Sequence, residues 1–413
     1  MENFDSIIIG AGPAGLMGGI TCAAGGARTC LLEKNMNPGK KFLLSGSGRC
    51  NITHSGAVDD FMRHYGPGGQ FIKPAFMNFS NRDLARFFNE RGLDTVELDN
   101  GKVFPATMRS GDVLNILMRE CAGTGMEIRY NEPVLDISRS GTGFEIKTGR
   151  RGYQTEKLLL ATGGRSYPQT GSTGDGYPLA EKLGHGIEDL QPALAPVIIK
   201  NFPFRECSGI SVAGSSVTLY RNGKRVRHCR GDVLMTHRGL SGPGILDFSR
   251  YILPGDIIGV SLVQCDNPAA CEKKILDDIA AAGKKTLKKC IVQNGIPERL
   301  VDALFSITGI PGDTKASHAD KKTRSLIIKS LLDYRFSVER PGDYNEAMAT
   351  KGGIPLREIN KNTMESRLVQ GLFFAGEVID IDGDTGGYNL QFAFSSGVLA
   401  GRSMIKKQLK KRG

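Results

Sequence analysis

A twelve-residue stretch near the start of the chain, Phe4-Asp-Ser-Ile-Ile-Ile-Gly-Ala-Gly-Pro-Ala-Gly15, constrains the fold more than any other. Ile7, Ile8 and Ile9 are β-branched and run straight into Gly10, which suits a buried parallel strand. Gly10, Gly12 and Gly15 then carry G-x-G-x-x-G spacing. The first glycine allows a tight turn, the second lets a pyrophosphate approach the backbone, and the third lets a helix pack on the strand. Pro13 falls in the first helical turn, where a missing N–H costs little. With Ala14 beside it, this helix start offers free N–H groups and a partial positive charge to a diphosphate.

The motif alone is weak evidence, so its context decides. A helix is expected over roughly 14–25, then a second strand, Arg28-Thr-Cys-Leu-Leu-Glu33. Glu33 lies where an acid would bond an adenosine ribose 2′-hydroxyl, and its charge would repel a 2′-phosphate. Next comes Asn37-Pro-Gly-Lys-Lys-Phe-Leu-Leu-Ser-Gly-Ser-Gly-Arg-Cys-Asn51, a glycine-rich loop with Lys40, Lys41 and Arg49. Its small residues let backbone lie against a flat or charged ligand, so it reads as a loop over the cofactor.

A chain of 413 residues is too long for one simple core and implies two or three domains. The net charge of +11 raises the question of a nucleic-acid partner. Much of the excess sits in one lysine-rich segment and in the tail from Lys406 to Arg412, which reads as a solvated basic surface attracting anionic ligands. The Met-Glu-Asn-Phe-Asp start is not a signal peptide, and no apolar run approaches the ~20 residues that span a bilayer. Nine scattered cysteines without C-x-x-C pairing predict reduced thiols in a cytoplasm. Six histidines show no metal spacing, so no metal is expected.

The strand Lys157-Leu-Leu-Leu-Ala-Thr-Gly-Gly164 is expected to close the nucleotide sheet, as in flavoproteins with two dinucleotide-binding domains. From about residue 190 the texture becomes β-rich, and Asn222-Gly223 is a strong hairpin signal. The chain then turns helical from Asn267 to about Lys329, with breaks at Gly283, Pro297 and Gly309–Gly312. It ends with a strand, Gly371-Leu-Phe-Phe-Ala-Gly-Glu377, a second glycine turn at Gly386-Gly387, and a final helix. Glu377 is placed to accept a hydrogen bond from a ribityl chain, and the last helix start to point N–H groups at a flavin pyrimidine edge. These elements together predict FAD. The fold class is α/β: a split Rossmann-like FAD-binding domain (1–190 and 360–413), an inserted antiparallel β-barrel-like domain (191–266 and 333–359) and a small helical domain (267–332).

Four stretches resemble the BaiN-like (YhiN-type) flavoproteins, NAD(P)/FAD-dependent or aminoacetone-oxidase-type oxidoreductases. They are Gly39–Asn51, Ala161–Tyr177, Thr236–Pro243 and Gly371–Gln391. The resemblance spans nearly the whole chain and implies the same three-part architecture. It also implies reduction of ring double bonds in 3-oxo-bile acids, as in a 3-dehydro-bile acid Δ4,6-reductase, although members differ in substrate.

The residues expected to line the cofactor are Gly10, Gly12, Pro13, Ala14, Gly15, Glu33, Lys34, Lys40, Lys41, Ser45, Gly46, Arg49, Cys50, Asn51, Val134, Ala161, Thr162, Gly163, Gly376, Glu377, Asp382, Gly386, Gly387, Asn389 and Leu390. No second G-x-G-x-x-G unit is visible, so NAD(P)H is expected only as a transient electron donor. Hydride transfer from flavin N5 to an apolar, steroid-like enone needs an acid or oxyanion donor. Tyr167, His237 and Tyr388 are the catalytic candidates, with Arg49 as a further donor. An FAD-dependent amine oxidase is the first alternative. A nucleic-acid-associated flavoprotein, prompted by the charge, ranks last behind a small-molecule substrate.

Overall fold

The computed structural model describes residues 1–264 and 267–409. The basic tail from Lys406 lies outside the residues whose side chains are described. The chain divides into two compact units, Met1–Gln191 with Met348–Gly413, and Pro192–Ala347.

The first unit is built on a seven-stranded mixed sheet. The Glu2–Ile9 strand lies at its centre, parallel to Thr29–Leu32 on one side and to Gly152–Leu160 on the other. Glu127–Arg129 extends the sheet beyond Thr29–Leu32. The Gly152–Leu160 strand divides its second edge between two partners. Its first half pairs with Gly143–Thr148, and its last three residues pair with Leu372–Phe374 from the far end of the chain. Val134–Ser140 completes the sheet. Ile7, Ile8, Leu31, Leu158, Leu159, Leu160 and Phe374 are all fully buried, the pattern of strands covered on both faces.

Small residues bring the helix Pro13–Ala24 against the final helix, Tyr388–Leu409. A Cβ on Gly401 would come 2.7 Å from the carbonyl oxygen of Gly18, and one on Gly397 would collide with that of Ala14. The C-terminal helix is thereby locked to the first βα unit, and the split domain closes into one core.

The second unit contains a closed antiparallel barrel. Its strand order is Val197–Ile199, Gly239–Ser241, Lys224–Met235, Ser211–Arg221, Ile257–Val260 and Tyr334–Pro341. The Asn222-Gly223 turn forms as the sequence requires, with both residues at positive φ (50° and 74°). Helices follow at Pro268–Ala281, Leu287–Val292, Glu298–Thr308 and Lys321–Leu332. Asn267, Thr286 and Asp320 cap three of them by accepting backbone N–H bonds.

Two expected boundaries move. The helical segment does not form its own core: Ile275, Leu300 and Leu331 share one apolar cluster with the barrel residues Val217, Leu219 and Phe336. Residues 348–359, assigned by sequence to the β domain, group with the first unit. The reason is their backbone: Thr350 N donates to Glu377 Oε1, Gly352 N to Asp380 Oδ1 and Ile354 N to the Val378 carbonyl. Cys271 is disulfide-bonded, an exception to the expected reduced thiols, while seven other described cysteines are free. Among the described residues, no helix is long and apolar enough to cross a membrane.

Candidate active site

The three motif glycines have different surroundings. Gly10 adopts φ 104°, and a Cβ on it would stand 2.5 Å from the Ala161 carbonyl oxygen. Its N–H bonds Leu32 O, while Ala161 N bonds Ile9 O, so the turn sits between its two neighbouring strands. A Cβ on Gly15 would collide with the Gly10 carbonyl oxygen. Gly12 has ordinary extended backbone, and a Cβ there would meet nothing within 4 Å. Neither conformation nor internal packing therefore demands a glycine at 12; its small size leaves open space at the helix start. The helix beginning at Pro13 has no side-chain cap and no acid in its first turn, which leaves its N–H groups and dipole available to an anion.

Glu33 is buried beneath this turn. Its Oε2 accepts from Ala11 N and its Oε1 from both Asn35 N and Nδ2, each at 2.8 Å. Lys40 Nζ donates to Asn35 Oδ1 at 3.3 Å. Lys34 instead crosses to the 165–177 segment, donating to Thr173 Oγ1 and Asp175 Oδ2 at 2.8 Å.

Lys41 reaches the opposite end of the chain. Its Nζ lies 2.6 Å from Glu377 Oε2 and 2.6 Å from Ser166 Oγ. Ser166 Oγ in turn donates to Glu377 Oε1 at 2.9 Å, and Thr350 Oγ1 accepts from the N–H groups of Arg165 and Ser166. Three separate segments thus converge on the carboxylate of a fourth. Gly164 fits because a Cβ would come 2.8 Å from Glu377 Oε1. Gly376 N bonds the buried Ser396 hydroxyl, fixing the strand end against the final helix.

The rest of the 39–51 loop is held by its own bonds. Ser45 Oγ donates to Phe42 O, and Gly46 and Ser47 take left-handed conformations. Arg49 is exposed, bonded to Gly46 O and set over the Phe104 ring. Cys50 is fully buried, and burial pushes its thiol up to about 12, so it is no ready nucleophile. Asn51 Nδ2 bonds the Thr53 and Val103 carbonyls.

At the second glycine turn, a Cβ on Gly387 would lie 2.6 Å from the Thr53 carbonyl group, and one on Gly386 would meet the rings of His54 and Tyr388. Tyr388 is buried and stacked between two imidazoles: His64 at 4.1 Å and His54 at 5.1 Å between ring centroids. His64 Nδ1 stands 2.9 Å from Asp384 Oδ2. Asn389 closes the loop by a reciprocal pair of bonds with the Gly383 backbone. Neither histidine stands out in the sequence, and no spacing could have found them, because His64 and Asp384 are 320 residues apart.

Thr162 follows Ala161 just past the Gly152–Leu160 strand, and its hydroxyl is buried with no hydrogen-bond partner. Gly163 follows at φ 75°. Tyr167 is half-buried at φ 55°, a strained region for a bulky residue, and burial raises its phenol pKa. Val134 and Leu390 are partly buried against the core, and Asp382 is half-buried in the loop before Gly386. His237 lies exposed in the Thr236–Gly239 turn of the second unit. Among the described residues, no group of three His, Cys, Asp or Glu side chains forms a metal site.

The residues of the first unit fit a dinucleotide. Gly12 leaves a cradle, the uncapped helix offers donors, and the Thr162 hydroxyl lacks a partner. Gly10–Gly15 would hold the diphosphate, with Glu33 on the adenosine side and Glu377 and the Gly386-Gly387 turn on the flavin side.

The sequence matches the family described as HI0933-like protein Rossmann domain over residues 4–403. It is 32% identical to the ribosomal RNA dihydrouridine synthase of Escherichia coli K12, covering 98% of this chain and 99% of that protein. It is 29% identical to the 3-dehydro-bile acid delta(4,6)-reductase of Clostridium scindens, covering 97% of this chain and 98% of that protein. Among solved structures, the 3-ketosteroid-delta4-(5alpha)-dehydrogenase of Rhodococcus jostii RHA1 shares the fold with a TM-score of 0.53 at 17% identity, covering 98% of this chain and 97% of that one. The chain belongs to the HI0933-like Rossmann family and is an FAD-dependent oxidoreductase.

Proposed function

We propose that this protein reduces a ring C=C bond conjugated to a carbonyl, and that the ring is a uracil within RNA. The composite site carries the reading: opposite ends of the chain meet at Lys41 and Glu377 beside an open glycine cradle. Two relatives support the reaction type. One is named for dihydrouridine, which is uridine with two hydrogens added across its conjugated ring double bond; the other is named for a steroid-like reductase. The net charge of +11 favours a polyanionic substrate over an apolar one.

FAD, once bound and reduced by two electrons from a donor, would supply the hydride. The carbon β to the carbonyl receives it, and a protein acid protonates the α-carbon, so the substrate gains two hydrogens in all. Tyr167 is the proposed acid: its half-buried phenol follows directly on Ser166, whose hydroxyl bonds Glu377. Tyr388 is the weaker candidate, its ring being buried between His54 and His64. NAD(P)H is the proposed transient donor. Seven described cysteines form no disulfide, as in a reducing compartment such as the cytoplasm, whereas Cys271 is disulfide-bonded.

The second reading, a 3-oxo-bile acid or similar enone, is supported by the Clostridium relative. To separate the two, the protein is incubated with NADPH and either a uridine-containing ribosomal RNA fragment or a Δ4-3-oxo-steroid. Mass spectrometry of the products then reports addition of two hydrogens. Reduction of uridine alone supports the first reading, and reduction of the steroid alone replaces it with the second. Peroxide formation from amines, with neither ring reduced, would replace both with an amine oxidase.

A further inference from the structure

The barrel of the second unit carries a feature that the flavin site does not use. Its two longest strands, Ser211–Arg221 and Lys224–Met235, form an antiparallel ribbon around the Asn222-Gly223 turn. The inner strand pairs on its other side with Ile257–Val260 and buries Val217 and Leu219 completely. The outer strand meets a second partner, Gly239–Ser241, only at Leu234 and Met235. Among the described residues, its Lys224–His228 part has no second strand beside it, while Cys229 Sγ bonds Gly244 O and Gly231 packs on Gly244.

The stretch reads Lys224-Arg-Val-Arg-His-Cys-Arg230, and it contains no acid. Lys224, Arg225, Arg227, His228 and Arg230 are exposed. Arg221, at the base of the turn, grips Asp256 with two 2.8 Å bonds and also donates to Tyr251 O. Arg227 lies 3.8 Å over the Tyr251 ring, which holds its guanidinium in place. His228 is held below its ordinary pKa by burial and then by the charges of Arg225 and Arg230. Charged side chains, lysine above all, protect a sheet edge from pairing with another chain. An acid-free run of basic side chains on a rigid ribbon exceeds that need and suits a phosphate backbone.

We propose that the Lys224–Arg230 stretch of the barrel ribbon is a docking surface for the phosphate backbone of RNA. This rests on the reading that the substrate is a uracil in RNA. The contacts are to phosphates, so the ribbon supplies affinity and orientation while the ring is chosen elsewhere.

The test uses full-length, flavin-loaded protein and a uridine-containing, single-stranded ribosomal RNA fragment, titrated by fluorescence anisotropy over a salt series. Lys224→Gln with Arg225→Gln, both at exposed positions beside the turn, is compared with Lys224→Arg, which keeps the charge. The neutralised variant is expected to bind roughly tenfold or more weakly at low salt, with a salt slope shallower by about one for each phosphate that is no longer neutralised. Lys224→Arg should bind as the parent does. The flavin spectrum and thermal midpoint should not change in either variant, which separates impaired docking from impaired folding. Parent-like affinity and salt slope in the neutralised variant overturn the proposal, even if uridine is reduced. Weakened RNA binding without uridine reduction would leave the docking surface standing and remove the proposed reaction. No RNA binding by the parent protein overturns the docking surface outright.

Discussion

Lys41 and Glu377, 336 residues apart in sequence, are joined by a 2.6 Å ion pair inside the first unit. Glu377 also accepts from Ser166 Oγ and Thr350 N, so its removal leaves three donors without their acceptor. Glu377→Ala should destabilise the apoprotein by roughly 1–3 kcal/mol. Urea unfolding of the flavin-free protein measures this. A double-mutant cycle with Lys41→Met should show coupling between the two sites, and strictly additive losses would show that the pair does not act as one unit.

Gly12 and Gly15 predict opposite outcomes. A methyl group at 12 meets nothing within 4 Å, whereas at 15 it collides with the Gly10 carbonyl oxygen. Gly12→Ala should leave apoprotein stability within about 0.5 kcal/mol of the parent yet release FAD on gel filtration. Gly15→Ala should lower the unfolding midpoint itself. Retention of FAD by Gly12→Ala would mean that the diphosphate does not approach this turn.

His185 gives the fold a pH dependence. It is buried, with Nδ1 2.9 Å from Glu358 Oε2 and Nε2 2.8 Å from Ser366 Oγ. Burial holds its pKa below the ordinary 6.5 despite the glutamate. The unfolded chain therefore binds a proton at a higher pH than the folded one. This contribution to stability is complete above pH 6.5 and is lost as pH falls through the folded pKa. Thermal midpoints measured downward from neutral pH should fall more steeply for the parent than for His185→Gln. Parallel curves would assign the acid sensitivity elsewhere.

Thiol chemistry should be absent from the site. Burial pushes Cys22, Cys30, Cys50 and Cys121 each up to about 12. Iodoacetamide at neutral pH should leave all four unmodified in the native protein and alkylate them after denaturation, as read by peptide mass spectrometry. Rapid native labelling of Cys50 would restore it as a reactive residue.

The local devices were legible in the sequence because short-range sterics decide them. Gly10 and Gly15 had to be glycine, and Asn222-Gly223 had to turn a hairpin, whereas the strand expected to run to Glu377 stops at Phe374 and Glu377 sits in the turn after it. What was not legible depends on long-range pairing. The strand Ala349–Gly353 has β character, which says nothing about which core it joins; its bonds to Glu377 and Asp380 decide that. His54 and His64 carry no motif, and only folding brings them to either face of Tyr388. The helices after Asn267 could be located by their caps, but their shared core with the barrel could not.

A flavin held by the two glycine turns should reduce a carbonyl-conjugated double bond. The most direct measurement is the visible spectrum of the purified protein after anaerobic reduction, followed by mixing under argon with a uridine-containing RNA fragment. The expected result is a yellow protein, bleached by the reductant, whose flavin band returns under argon as the RNA gains two hydrogens per turnover. A colourless protein that takes up no FAD would contradict the claim. So would a reduced protein that stays bleached with every unsaturated substrate under argon but returns to yellow at once in air.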